Sequence, residues 1–288
     1  MQKPISELPL DVTVRLVVSD LDGTLLNEQK TISPRTLAAI EGLRKRGILF
    51  SVCTGREYAM LGHYARILCP TAPMVCNNGA EVISYPTGEV VSRVPLPNAA
   101  GMRFLGWCLK NGVDFCATTH EKAYFPESSA MTPFYEAYAV QAKREGLADF
   151  PLVRIQSLTP LCGQAINKII LQKDLPGTDR AQEYLKENFP EFATTMSSEW
   201  IMEVIPKGMS KAVGLQRLCA ALQIPLTQCC AVGDYDNDVE MLSLAGVSVA
   251  MGNAQDAARK AAQYFTASNE EEGVAQLLEL LLSRCGTA

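Results

Sequence analysis

At 288 residues and 48% hydrophobic content, the chain is long enough for one large domain or two ordinary ones and apolar enough to build a packed core. A formal net charge of -5 argues against a nucleic-acid surface, because binding a phosphate backbone needs a clustered basic excess. The opening "MQKPISELPLDVT" lacks the apolar core of a signal peptide, and no apolar run reaches the ~20 residues of a membrane helix, so a cytoplasmic protein without membrane association is expected.

In chain order, residues 12–20 read as an apolar strand, 33–46 as a helix capped by Ser33 with Pro34 in its first turn, and 48–53 as a second strand. The basic knot Arg44-Lys45-Arg46 suits the end of that helix, where cations meet the negative pole of its dipole. A helix over about 57–68, a short strand at 74–76 and a hairpin around "SYPTGEVV" follow. The alternation resumes far downstream: helix 211–222, strand 228–232, helix 236–243, strand 247–250, helix 255–262 and an amphipathic helix 270–283. Such alternation is the signature of a parallel α/β sheet. Between Pro95 and Pro206 the spacing becomes irregular and richer in Pro, Gly and aromatics, which reads as an α+β module inserted into the first domain. The division expected is therefore 1–94 and 207–288 for the core and 95–206 for the insertion.

Ten cysteines are scattered, with Cys229-Cys230 the only close pair and no CxxC or Cys/His cluster. Cys53, Cys76, Cys229 and Cys230 read as small buried strand residues in a reducing compartment. The two histidines, His63 and His120, read as surface or satisfied residues rather than catalysts.

Chemistry concentrates after the apolar strands. In a strand, residues two apart share a face, so Asp20 and Asp22 in "VSDLDGT" are expected to project together. At ~6 Å and an effective dielectric of ~20 they repel by roughly 3 kcal/mol, which calls for a cation, a proton or a function. Thr54-Gly55-Arg56 follows the second strand, as a hydroxyl beside glycine does in a phosphate-cradling loop. Asp234, Asn237 and Asp238 follow a third, and Lys211 opens a helix behind Ser210 as N-cap, where a cation opposes the dipole unless an anion faces it. Ligands of an open parallel sheet bind beyond the carboxyl ends of its strands, where these groups gather. Acids with other oxygen donors select Mg2+ over zinc, and lysine, threonine and backbone amides suit a phosphoryl group.

With these motifs in order, the sequence resembles the haloacid dehalogenase-like hydrolases, and among them the Cof-type sugar-phosphatase-like subfamily with a large inserted cap. Asp20-Leu21-Asp22-Gly23-Thr24, Thr54-Gly55-Arg56, Lys211 and Gly233-Asp234-Tyr235-Asp236-Asn237-Asp238 resemble its four motifs. "NNGAE" at 77–81, "MGNA" at 251–254 and "NEEEGVAQLLELL" near the C-terminus resemble it too. The resemblance implies a Rossmann-like doubly wound core with an α+β cap, and Mg2+-dependent hydrolysis of a small phosphorylated metabolite through an aspartyl-phosphate. It makes Asp20 the nucleophile and Asp22 the general acid and base. Asp20, Asp22 by its backbone carbonyl, and Asp234 would hold the metal. Thr54, Gly55, Lys211 and Asn237 would bind phosphate, with Asp238 supporting the metal from behind.

A phosphomutase, a catalytically silent metal- and phosphate-binding relative, and a receiver module also gather such groups, although a receiver lacks the DxDGT opening and the insertion. Asn77 and Asn78 are expected to shape a turn, and Glu203 to lie at a hinge. Arg154, Lys168, His120 and Trp200 are the inserted module's candidates for substrate contact.

Overall fold

The structure is a computed structural model that describes residues 3–9, 13–147 and 150–284. It comprises two compact units: Met1–Thr54 with Leu68–Ser92 and Ser210–Ala288, and Gly55–Ile67 with Arg93–Met209.

The first unit is built on a six-stranded parallel sheet. Its order is Lys3–Pro4, Tyr264–Phe265, Val247–Ala250, Cys229–Gly233, Leu16–Ser19 and Leu49–Val52. Val17 lies opposite both Cys230 and Phe50, and the strand Leu16–Ser19 is buried throughout. That explains its unbroken apolar run, since a parallel strand covered on both faces has no solvent side to mark with polar residues. From this strand the chain steps first to Leu49–Val52 on one side and only much later to Cys229–Gly233 on the other. The order therefore reverses between the Leu16–Ser19 and Cys229–Gly233 strands, and a crevice opens at their carboxyl ends. Ser33 caps the helix Pro34–Lys45 by accepting a hydrogen bond from the Thr36 amide.

Beside this sheet a bridge between Cys53 and Val75 leads into the small sheet of Met74–Cys76, Glu81–Ile83 and Val90–Arg93. The turn between its first two strands holds Asn77, Asn78 and Gly79 consecutively at φ 50°, 50° and 90°. A β-carbon on Gly79 would stand 1.9 Å from the Ser210 carbonyl oxygen, and one on Gly214 would stand 2.6 Å from the Gly79 Cα. Two missing side chains thus let the start of the helix Lys211–Leu222 lie directly on this turn.

The second unit's sheet runs Phe192–Met196, Ile201–Pro206, Lys168–Gln172, Cys116–Thr118, Ala123–Pro126 and Leu152–Ile155. It is antiparallel except for the last pair. Phe104 and Leu105 of the helix Asn98–Lys110 and Leu185 of Thr178–Asn188 join Ile169, Leu171 and Val204 in one apolar cluster. Met60, Phe125, Tyr135, Phe150 and Ile170 make the other.

Several expectations shift. Gly55–Ile67, expected in the core, belongs to the second unit because Met60 is buried in its apolar cluster and Tyr138 donates to the Ala59 carbonyl. The first strand of the core is Leu16–Ser19 rather than 12–20, and residue 12 lies outside the described residues. The helices expected from 57 and 236 open with tight turns, Tyr58–Leu61 and Asp236–Asp238. Glu203 is no hinge residue but an interior, buried position of the strand Ile201–Pro206. His63 bonds Glu145, and His120 bonds Arg93. The nine described cysteines are all unbridged, and no described helix is long and apolar enough to cross a membrane.

Gly79→Ala meets both a left-handed backbone and a hard backbone contact, so it should lower the unfolding free energy by ~2 kcal/mol or more. Urea unfolding measures this, and a stability equal to the parent protein's would disprove the close-approach argument.

Candidate active site

Four chain segments of the first unit meet at the carboxyl end of its sheet. The strand Leu16–Ser19 stops one residue before Asp20, whose amide still donates to the Val232 carbonyl at 2.9 Å. Asp20-Leu21-Asp22 is thus the start of a turn rather than a strand repeat. Leu21 enters the core and Asp20 is buried, whereas Asp22 has 34% of its side chain exposed and pairs with Lys30 at 3.0 Å. The two aspartates thus differ in burial, one enclosed and one partly exposed. Gly23 takes φ +80°, and a β-carbon there would stand 2.4 Å from Asp234 Oδ2, so no side chain fits between the two loops.

At the centre lies Lys211, the first residue of its helix and 1% exposed. Its Nζ donates to Asp20 Oδ1 at 2.5 Å and to Asp238 Oδ1 at 2.7 Å. Burial by itself would lower the lysine's pKa, but the two facing carboxylates outweigh it and hold the ammonium above its ordinary value. The cation that the helix dipole disfavours therefore faces anions. Ser210 occupies the N-cap position without making the cap hydrogen bond, and its buried Oγ has no partner.

Asp238 spends its other oxygen on the backbone amides of Asp234 and Tyr235, at 3.0 and 3.1 Å. Asp234 accepts from Thr24 Oγ1 at 2.5 Å. Burial pushes the Asp20 carboxyl well above its usual value, with Lys211 opposing and Asp238 and Asp234 reinforcing the shift. Burial and then Asp238 push Asp234 up to about 6. Carboxylate oxygens of Asp20, Asp234 and Asp238 lie within 4.8 Å of one another. Three carboxylates against one ammonium leave two negative charges when all are ionised, a donor set that suits a hard divalent cation. Asp20 and Asp234 each keep one oxygen beyond those bonded to Lys211 and Thr24, whereas Asp238 has committed both.

The remaining candidates join by hydrogen bonds. Thr54 is buried, its amide donates to the Val75 carbonyl and its carbonyl accepts from the Asn78 amide at 3.1 Å. Asn78 Oδ1 accepts from Asn237 Nδ2 at 3.0 Å. Asn78 therefore does more than shape a turn, because it links the Thr54 backbone to the Asn237 side chain. Thr24 and Asn78 are contacts that sequence reasoning missed; the runs "DGT" and "NNGAE" were visible, but the partners lie 210 and 159 residues away. The run "MGNA" acquires a purpose as well: Asn253 donates to the Gly23 carbonyl at 2.8 Å. In "NEEEG", Asn269 donates to the Leu26 carbonyl at 2.9 Å. Gly55 lies in the second unit, where Arg154 is tied to Glu127, Thr132 and Glu136, and Trp200 is half exposed.

The haloacid dehalogenase-like hydrolase family model matches residues 17–278. The 5-amino-6-(5-phospho-D-ribitylamino)uracil phosphatase YitU of Bacillus subtilis is 31% identical over 92% of this chain and 96% of its own. The pyridoxal phosphate phosphatase YbhA of Escherichia coli is 25% identical over 93% and 98%. Among solved structures, a haloacid dehalogenase-like hydrolase from Bacteroides thetaiotaomicron superposes with a TM-score of 0.79 at 25% identity, covering 92% of this chain and 98% of that one.

Replacing Lys211 with Met strands two buried carboxylates, so Lys211→Met should lower stability by ~3 kcal/mol or more. Adding Asp238→Asn should recover part of the loss. Urea unfolding of both variants reads the effect; no recovery in the double variant would mean that charge is not what Lys211 supplies.

Proposed function

The chain belongs to the haloacid dehalogenase-like hydrolases, and we propose that it is a cytoplasmic, Mg2+-dependent phosphatase of a small phosphorylated metabolite, working through an aspartyl-phosphate on Asp20. The observation that carries this reading is the buried ammonium of Lys211 held between Asp20 and Asp238 with Asp234 alongside. Such a donor set would suit a divalent cation, and the ammonium suits a phosphoryl group. The two relatives reported above are both named for phosphorylated small molecules, which supports the substrate class.

Asp20 attacks phosphorus in line with the departing alkoxide, forming an O–P bond as the ester O–P bond breaks. Asp22 gives its proton to that alkoxide. The resulting carboxylate then takes a proton from the water that cleaves the aspartyl-phosphate, releasing inorganic phosphate and restoring both side chains. Its partial exposure and its place in a turn, outside the three converged carboxylates, leave it accessible to a leaving group and to water. An ammonium has three donors, and two of those on Lys211 are taken by Asp20 and Asp238, so the third is available to a phosphoryl oxygen. Thr54 and the Gly55 amide bind other oxygens, as does Asn237, which Asn78 orients. Asp20, the Asp22 carbonyl and Asp234 would hold Mg2+, with Asp238 behind them, and the ion would supply positive charge that lowers the repulsion between carboxylate and phosphate.

Phosphate release screened over a few dozen phosphorylated metabolites tests the assignment. Asp20→Asn and chelation of the metal should each abolish release, and activity that survives Asp20→Asn rules the mechanism out. Asp22→Asn should cut turnover ~100-fold or more while Mg2+ binding, followed by calorimetry, stays intact. Loss of metal binding in that variant would remove Asp22 from the proton-carrying role.

A further inference from the structure

Lys168 lies in the middle of the second unit's sheet, opposite Thr118, and is 2% exposed. An isolated ammonium at such a position costs several kcal/mol, so its partners are informative. Its Nζ donates hydrogen bonds to Glu203 at 2.5 Å and to the Gly55 carbonyl at 2.6 Å, and forms an ion pair with Glu57 Oε1 at 3.3 Å. Burial by itself would lower the lysine's pKa, but Glu203 and then Glu57 outweigh it and hold the ammonium above its ordinary value.

Neutralising a buried lysine requires one carboxylate, and Glu203 supplies it from the neighbouring strand. Glu57 is surplus by that measure. With both acids ionised the cluster carries one negative charge too many, and the buried Glu57 Oε1 has the Lys168 ion pair as its contact rather than a hydrogen bond. Stability alone favours apolar residues here. What the arrangement accomplishes is local: two of the ammonium's three partners, Gly55 by a hydrogen bond and Glu57 by an ion pair, flank Arg56, so one ammonium holds both ends of a tripeptide. The peptide group is planar with its C=O and N–H antiparallel, so pinning the Gly55 carbonyl also fixes the direction of the Arg56 amide. The preceding residue, Thr54, has its own amide and carbonyl held by Val75 and Asn78.

We propose that Lys168 is a positioning residue for the Thr54-Gly55-Arg56 loop: by clamping the Gly55 carbonyl and the Glu57 carboxylate it holds the loop in its phosphate-binding shape before substrate arrives. The proposal rests on the assignment of Thr54 and Gly55 to phosphate binding made above. A preformed loop saves the ordering cost that binding otherwise bears. Lys168 acts through backbone and so governs binding more than the chemical step.

The test compares the parent protein with Lys168→Met in saturating Mg2+, with p-nitrophenyl phosphate as substrate and inorganic phosphate as ligand. The expected result is a rise of about tenfold in KM and in the calorimetric Kd for phosphate, with kcat within about threefold. Peptide-resolved hydrogen exchange should speed up across 55–61 and stay unchanged in strands 168–172 and 201–206. Unaltered KM and phosphate Kd in the folded variant overturn the proposal, whatever happens to Tm, because a merely structural lysine moves stability alone. If Lys168→Met does not fold, Glu57→Gln decides: it loosens the far end of the clamp and should raise the phosphate Kd by about threefold, and no change overturns the proposal. The binding and exchange measurements need no turnover, so failure of the Asp20 mechanism leaves the clamp decided independently.

Discussion

A charged lysine shut away from water governs the site. Lys211 has its helix dipole against it and almost no solvent to stabilise its charge, so it holds its position only because Asp20 and Asp238 sit at 2.5 and 2.7 Å. The dependence runs both ways, since neither carboxylate tolerates burial without the ammonium. Three segments distant in sequence are thereby fixed to one another: the end of the first strand, the start of the helix at 211 and the turn after 233. The close contact of Gly79 and Gly214 follows from the same demand, because it lets the helix start approach near enough for Nζ to lie between the acids.

The rest of the site is layered on this pair. Asp238 turns its second oxygen to two backbone amides, which shapes the loop carrying Asp234. Thr24 holds Asp234, and Gly23 leaves room for it. The loop after Gly23 is secured from the far end of the chain by Asn253 and Asn269, whose amides satisfy carbonyls that a turn leaves unpaired. A network that spends its donors on backbone in this way leaves few polar groups uncommitted, and those few lie at the carboxyl end of the sheet. The second unit solves a related problem around Lys168, with a surplus acid and a backbone carbonyl where Lys211 has a second hydrogen-bonded carboxylate.

Much of this was legible without coordinates. Apolar strands, a Ser-Pro helix start and glycines after helices are local signals, and the strands at 74–76 and 247–250 and the helix at 211–222 fall where their periodicity put them. The acids, hydroxyl and lysine that follow those strands were recognisable because a parallel sheet collects its strand ends on one edge. The errors share a cause. The first core strand was read as running through Asp20, yet it ends at Ser19. Residues 55–67 were assigned to the core by position in the chain, yet Met60 is buried in the other unit's cluster.

The sequence by itself determined the class of fold, the inventory of reactive groups and the family to which they belong, because each is written in residue type and short-range spacing. Only the tertiary structure decided which groups meet. The pairing of Lys211 with both Asp20 and Asp238, the hold of Thr24 on Asp234, the link from Asn78 to Asn237 and the seat of Lys168 between Glu57 and Glu203 all join residues far apart in sequence. Periodicity and propensity carry no term for such contacts. They arise when burial leaves each charge without water and the chain supplies a partner within reach.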